Sequence, residues 1–345
     1  MLTRRVVLHL TLSTWLVCIA VAQDPHMPTI VPTNIFMLAE FGGALHLPVK
    51  CDADENVYLR PYEQDNSHSS VLKVSHNADK ETRLDSLDPA LKGLSVQDFA
   101  VSPDNTVYEL LQAGNDVYIA QFHSDGSFAS KMKLEDQFWG VKLAVAMNGT
   151  AFLVSGVSVP NPTGGNGGLP KLITAMFDQS GRRIGKLSLD NDPADPGVGG
   201  KQLDTKKFLN DVSVLPLVNG NIEADRDGTL LLMRASTNPV IFVLDSRGKM
   251  ARRMVISAPL TGMSPASMHV RAGKLAMLFE RLDAEGNVGD RIMTVFDIAT
   301  GEKVREYSVA PSLGTAFACY LGGDNFGFVT SKNNKFALQY AAPER

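Results

Sequence analysis

Short apolar runs alternate with acidic or polar turns along most of the chain. Asp98-Phe99-Ala100-Val101, then Ser102-Pro103-Asp104-Asn105, then Thr106-Val107-Tyr108-Glu109-Leu110 reads as strand, turn, strand. Asn221 to Ala224, Asp225-Arg226-Asp227-Gly228 and Thr229 to Leu232 repeat the pattern. Leu143 to Ala146, Met147-Asn148-Gly149 and Thr150 to Leu153 give another copy. The Asp, Asn and Gly residues supply the backbone conformations that a tight hairpin requires. A second hairpin follows each first one, turning at Ser124-Asp125-Gly126, Gln179-Ser180-Gly181, Ser246-Arg247-Gly248 and Ala299-Thr300-Gly301. Helical periodicity is scarce; Lys201 to Val212 is the one stretch that suggests a short helix.

Each unit is therefore four antiparallel strands, recurring about every 45 residues, the signature of β-propeller blades. The expected fold is all-β: a six-bladed propeller with blades beginning near His46, Asp98, Lys142, Asn221, Ser267 and Thr315. Seven blades would require one hidden in the 190–215 insertion. The last blade runs out after three strands, Thr315 to Leu321, Phe326 to Thr330 and Phe336 to Tyr340. Its missing outer strand is available as Asn34-Ile35-Phe36-Met37-Leu38, which would close the ring and remove an exposed edge. Val240-Ile241-Phe242-Val243-Leu244 is apolar on both strand faces, as a blade sandwiched between two neighbours demands.

Met1 to Ala22 has the pattern of an export signal: Arg4 and Arg5, an apolar stretch, then Ala20-Val21-Ala22 at the cleavage positions. The expected division is thus a signal peptide at 1–22, a flexible linker at 23–33 and one propeller domain at 34–345, secreted or periplasmic. Thr3-Arg4-Arg5-Val6-Val7-Leu8 also resembles the twin-arginine motif, so the export route stays open. No later segment is long and apolar enough to span a bilayer. The net charge is −4 and becomes more acidic once Arg4 and Arg5 leave, which argues against nucleic-acid binding. Cys51 and Cys319 fall in the first strands of the first and last blades. They are either a disulfide stapling the ring ends or two separate buried thiols.

Strand parity places the connections between blades and those between second and third strands on one face. The insertions 160–170, 190–216 and 282–290 would all decorate that rim, where long loops often carry binding. The innermost strands begin on the same face, placing Asp98, Lys142, Asn221, Ser267 and Thr315 at the channel mouth as candidate ligand-binding residues, or as a ring holding water. No catalytic residue, metal ligand or cofactor motif stands out. His26, His46, His68, His76, His123 and His269 lack zinc spacing. The Asp225 turn resembles the start of an EF-hand loop but has Ser236 where the acidic ligand at position twelve belongs, so it reads as a hairpin. Gly164 to Gly168 lacks the Lys-Ser/Thr of a phosphate loop. Asn148-Gly149-Thr150 is a glycosylation sequon within a turn.

The stretch Val101-Ser102-Pro103-Asp104-Asn105-Thr106-Val107-Tyr108 and the turn Phe177-Asp178-Gln179-Ser180-Gly181 resemble elements of secreted bacterial six-bladed propellers of the NHL/TolB-like group. The resemblance spans some 300 residues at the level of fold and covers binding scaffolds as well as hydrolases and lyases. Two functions follow from it. One is a non-catalytic binding module for a protein, peptide or carbohydrate. The other is a metal-assisted lactonase or esterase, with Glu40, Asp98 and Asn221 as ligands. Lys142 disfavours the second, because an ammonium beside a divalent cation is repulsive.

Overall fold

A computed structural model describes residues 27–38, 45–62, 70–84, 88–146, 149–158, 171–187, 221–234, 239–332 and 335–344. The signal segment, the 160–170 and 190–216 insertions, the proposed helix at 201–212 and Glu40 lie outside the described residues.

The described chain is all-β. One antiparallel sheet contains β2 (Leu45–Cys51), β3 (Val57–Pro61), β4 (Leu72–Val74) and β5 (Glu81–Arg83). A second contains β6 (Ser95–Val101), β7 (Val107–Ala113), β8 (Asp116–Phe122) and β9 (Phe128–Gln137). A third is β10 (Trp139–Ala146), β11 (Ala151–Ser158), β12 (Lys171–Asp178) and β13 (Arg183–Lys186). A fourth is β14 (Ile222–Ala224), β15 (Leu230–Arg234), β16 (Val240–Leu244) and β17 (Met250–Val255). The remaining sheet has eight strands. It holds β18 (Ser264–Arg271), β19 (Lys274–Leu282), β20 (Val288–Asp297) and β21 (Lys303–Val309), then β1 (Thr29–Met37), β24 (Lys335–Pro343), β23 (Asn325–Lys332) and β22 (Ala316–Gly322).

The four-stranded units are arranged like propeller blades. The first strand of each touches the first strand of the next, from β2 through β6, β10, β14 and β18 to β22, and β22 returns to β2. Apolar clusters fill the spaces between successive units. In β16, Val240, Phe242 and Leu244 pack toward the third sheet, whereas Ile241 and Val243 pack toward β18–β20. One uninterrupted apolar run thus serves two interfaces, which accounts for its lack of alternation.

The hairpin turns form where Asp, Asn and Gly place them. The Asp225 amide donates to the Thr229 carbonyl at 2.8 Å, and Gly228 adopts a φ of 86°. That left-handed backbone suits a residue with no Cβ. Asn105 occupies the same region, with φ 64°, one of the few non-glycine residues that tolerate it.

β1 pairs antiparallel with β24, Asn34 opposite Tyr340 and Met37 opposite Ala337, in the direction expected from the last unit's missing strand. It also begins earlier than the sequence pattern suggests. Thr29 and Ile30 run parallel to Ser308 and Val309 of β21, so residues 29–33 are strand rather than flexible linker. Backbone pairing to two neighbours holds this mixed segment extended although Pro32 interrupts its pattern. The 282–290 segment also departs from expectation. β19 and β20 extend into it, leaving a turn in which the Asp283 carboxylate accepts the amides of Glu285 (3.0 Å) and Asn287 (2.8 Å). It is a projecting hairpin, not a long loop.

Candidate functional site

Of the five residues expected at the channel mouth, Asp98, Lys142 and Asn221 are buried, Ser267 is half-buried and Thr315 is exposed. Asp98 works between strands: its Oδ2 accepts the Leu143 amide at 2.8 Å and lies 3.8 Å from Lys50 Nζ. Lys50 Nζ also donates to the Leu143 carbonyl at 3.3 Å and sits 5.5 Å from the Phe99 ring centroid. These contacts join the inner strands of three successive sheets. Burial pushes the Lys142 pKa down, and nearby Asp98 opposes the shift. The structure therefore brings Asp98 and Lys142 together. None of the five residues lines the central cavity.

That cavity, about 70 Å³, lies where the inner strands end, on the face of the first hairpin turns and opposite the rim expected from the insertions. Lys50 and Cys51 enter it from β2, Glu223 from β14, and His269 and Arg271 from β18. Such a volume holds a few waters or the tip of one side chain; drug-sized ligands fill about 300–1,000 Å³.

Its charged groups divide into committed and available ones. Asp52 accepts the Tyr58 hydroxyl at 2.8 Å, the Asn56 side-chain amide at 2.8 Å and two turn amides. Asp225 accepts the amides of Ala272 (3.2 Å) and Gly273 (2.8 Å), tying its turn to the next one. Arg271 pairs with Glu55 at 3.3 Å. Glu223 points into the cavity instead, reached by water yet enclosed by protein. Desolvation pushes its pKa to about 7; Lys50 and Lys142 pull it down, and Asp98 adds to the rise. His269 is held at about 4, chiefly by burial and also by the cations Arg271 and Lys50.

Sequence reasoning missed Lys50, Glu223 and His269 because it aligned the starts of the inner strands. The cavity lies at the opposite ends of those strands, beside the first hairpin turns. A signal was nevertheless present. Lys50 and Glu223 stand two residues before their turns open at Asp52 and Asp225, where the second sheet has Ala100 before Ser102.

A second, more open groove of about 380 Å³ lies at the seam between β1, β24 and the first sheet. It is lined by residues including Phe36, Tyr340, Glu55, His76 and Asn325. The rings of Phe36 and Tyr340 meet edge to face at 5.9 Å, and the Tyr340 hydroxyl donates to the His76 carbonyl at 2.5 Å. Between groove and cavity, the sulfurs of Cys51 and Cys319 stand 2.04 Å apart. The Asp225-Arg226-Asp227-Gly228 segment is a hairpin turn, with Asp227 accepting the Thr229 amide at 2.8 Å. Among the described residues, no three His, Cys, Asp or Glu side chains converge as a metal site.

No family model matches the chain, and no curated protein matches it. Solved structures similar to it include the Cps50 (Swd1) β-propeller domain of Myceliophteria thermophila, at 8% identity over 91% of this chain and 99% of that one, TM-score 0.48. Others are a nidogen/laminin complex, at 14% identity over 76% and 79%, TM-score 0.43, and the Dos1 propeller, at 9% over 83% and 75%, TM-score 0.42. Those likenesses assign no ligand and no activity. The class of this protein rests on its own strand arrangement, that of a β-propeller with a charged central depression.

Proposed function

We propose that this chain is an exported, non-catalytic binding propeller of six blades, similar to the NHL/TolB-like group. In this reading the eight-stranded sheet is two blades joined edge to edge by β1, and Cys51 and Cys319 form a disulfide across the ring closure. The central depression receives one small charged or polar group of a protein, peptide or carbohydrate partner. The observation that carries this reading is the convergence of Lys50, Glu223 and His269 from three blades on a cavity of side-chain size. Asp52 and Asp225 are saturated by the fold and Lys50 is paired with Asp98, leaving the carboxyl of Glu223 to sort ligands by charge. The binding face is that of the inner hairpin turns.

Calorimetry with short peptides ending in lysine, glutamate or glutamine tests the site. One class should bind saturably, with an enthalpy that changes with buffer near pH 7 as Glu223 exchanges its proton. Glu223→Gln should weaken that class at least tenfold and remove the buffer dependence. Absence of saturable binding by every class, or equal affinity in Glu223→Gln, would remove the site. Export has its own check: the mature protein recovered from its host should have an intact mass beginning at Gln23. A mass that includes Arg4 and Arg5 would contradict it.

A further inference from the structure

The two cysteines at the seam occupy unlike surroundings. Cys319 on β22 is fully buried in the apolar cluster between the last and first sheets, where a thiolate would be poorly solvated. Cys51 on β2 is only partly buried and lines the central cavity. The imidazole of His269, on β18, lies against the Cys51 sulfur. Its Nδ1 accepts the Tyr320 amide at 3.1 Å, so in the neutral ring the proton resides on Nε2. Nε2 is 3.3 Å from Cys51 Sγ. With its pKa held at about 4, the imidazole stays neutral at physiological pH and acts as a hydrogen-bond donor rather than a base.

Charged groups also surround Cys51. Lys50 adjoins it on β2, Arg271 lies two residues from His269 on β18, and Glu223 faces the cavity from β14. Asp52 is taken up by Tyr58 and Asn56, and Glu55 by Arg271. Tyr320 and Tyr340 border the seam, with pKa values raised by burial. Lys50 is itself paired with Asp98 at 3.8 Å, so the N–H donor of His269 is what favours an ionised Cys51.

We infer that the reduced protein carries one activated thiol, Cys51, which reacts with low-molecular-weight disulfides through the central cavity while Cys319 serves as the resolving thiol. The Cys51 thiolate attacks a disulfide RSSR, forming a Cys51–SR mixed disulfide and releasing RS⁻. The Cys319 thiol then attacks Cys51 Sγ and passes its proton to the departing thiolate, forming Cys51–Cys319 and releasing RSH. RSSR gains two electrons and the dithiol loses two. The product joins strands 268 residues apart in sequence, so the reaction fastens the first blade to the last. The inference is independent of any ligand at Glu223.

Iodoacetamide alkylation of the reduced full chain, read at each cysteine by peptide mass spectrometry across pH 5–10, tests it. Cys51 should react at least tenfold faster than Cys319, with a midpoint at least one pH unit below the ordinary thiol value of about 8.5. His269→Ala should return that midpoint toward 8.5, and His269→Gln, which keeps an N–H donor, should retain most of the lowering. With oxidised glutathione, Cys319→Ser should accumulate a mixed disulfide at Cys51, and Cys51→Ser should form none at Cys319. Should His269→Ala unfold, Cys319 becomes as reactive as Cys51, and the glutamine variant decides. Equal reactivity of the two cysteines in the folded wild type, or a Cys51 midpoint at 8.5, would overturn the inference.

Discussion

Replacing Ile30 by alanine is expected to lower the unfolding free energy by about 3 kcal/mol, and replacing it by aspartate to abolish cooperative folding. Ile30 is fully buried among residues of β19–β24, including Leu278, Met293, Tyr307 and Phe328. It is also a backbone junction. Opposite Val309 in β21 and Pro343 in β24, it offers its carbonyl to the Ala310 amide at 3.0 Å. A cavity here therefore loosens two blade edges together, where an ordinary core position affects one interface. Ile35, five residues on, supplies the control: it is 56% exposed, and Ile35→Ala should stay within about 0.5 kcal/mol of wild type. Urea unfolding followed by circular dichroism would measure both. Equal effects at the two positions would mean that the closing strand does not hold the ring.

Arg60→Met is expected to cost about 3 kcal/mol at pH 8 and less than about 1 kcal/mol at pH 6. Arg60 on β3 and Glu109 on β7 are both buried in the interface between the first two sheets. Burial raises the Glu109 pKa to about 7; Arg60 opposes that rise, with a weaker pull from the Val71 backbone. They act across a gap, since neither Glu109 oxygen has a hydrogen-bond partner of good geometry. A carboxyl raised in the folded state contributes its full stability below its unfolded pKa, near 4.3, and loses it as pH rises through the folded value. Without Arg60 the folded pKa climbs further, so the loss continues to higher pH and the two proteins diverge above about pH 7. At pH 6 Glu109 is mostly protonated in both, and removing a desolvated guanidinium offsets the remaining cost. Unfolding midpoints in urea at the two pH values are the readout; a penalty independent of pH would place the effect in packing instead.

Neither prediction follows in this detail from the chain alone, and the reasons differ. The partnership of the amino-terminal strand with the last unit was legible, because three strands at Thr315 to Tyr340 leave an edge that a short apolar segment can cover. Its extension back to Thr29 was not, because Thr29 to Thr33 looks like linker until β21 lies beside it. Glu109 likewise reads as the polar half of a strand. Only the stacking of one sheet on another shows that both faces of β7 are covered.

The sequence by itself determined the local vocabulary of this protein: short strands, hairpins turning at Asp, Asn and Gly, and runs such as Val240 to Leu244 that must be enclosed on both sides. Those features follow from backbone sterics and from the removal of apolar surface from water, which act over a few neighbouring residues. Only the tertiary structure decided that Lys50, Glu223 and His269 meet, and that Cys51 faces a cavity while Cys319 faces a core. Residues more than two hundred positions apart become neighbours through the closure of the ring, and the packing of sheet on sheet sets which strand ends meet. Such long-range contacts leave no mark on the local apolar pattern.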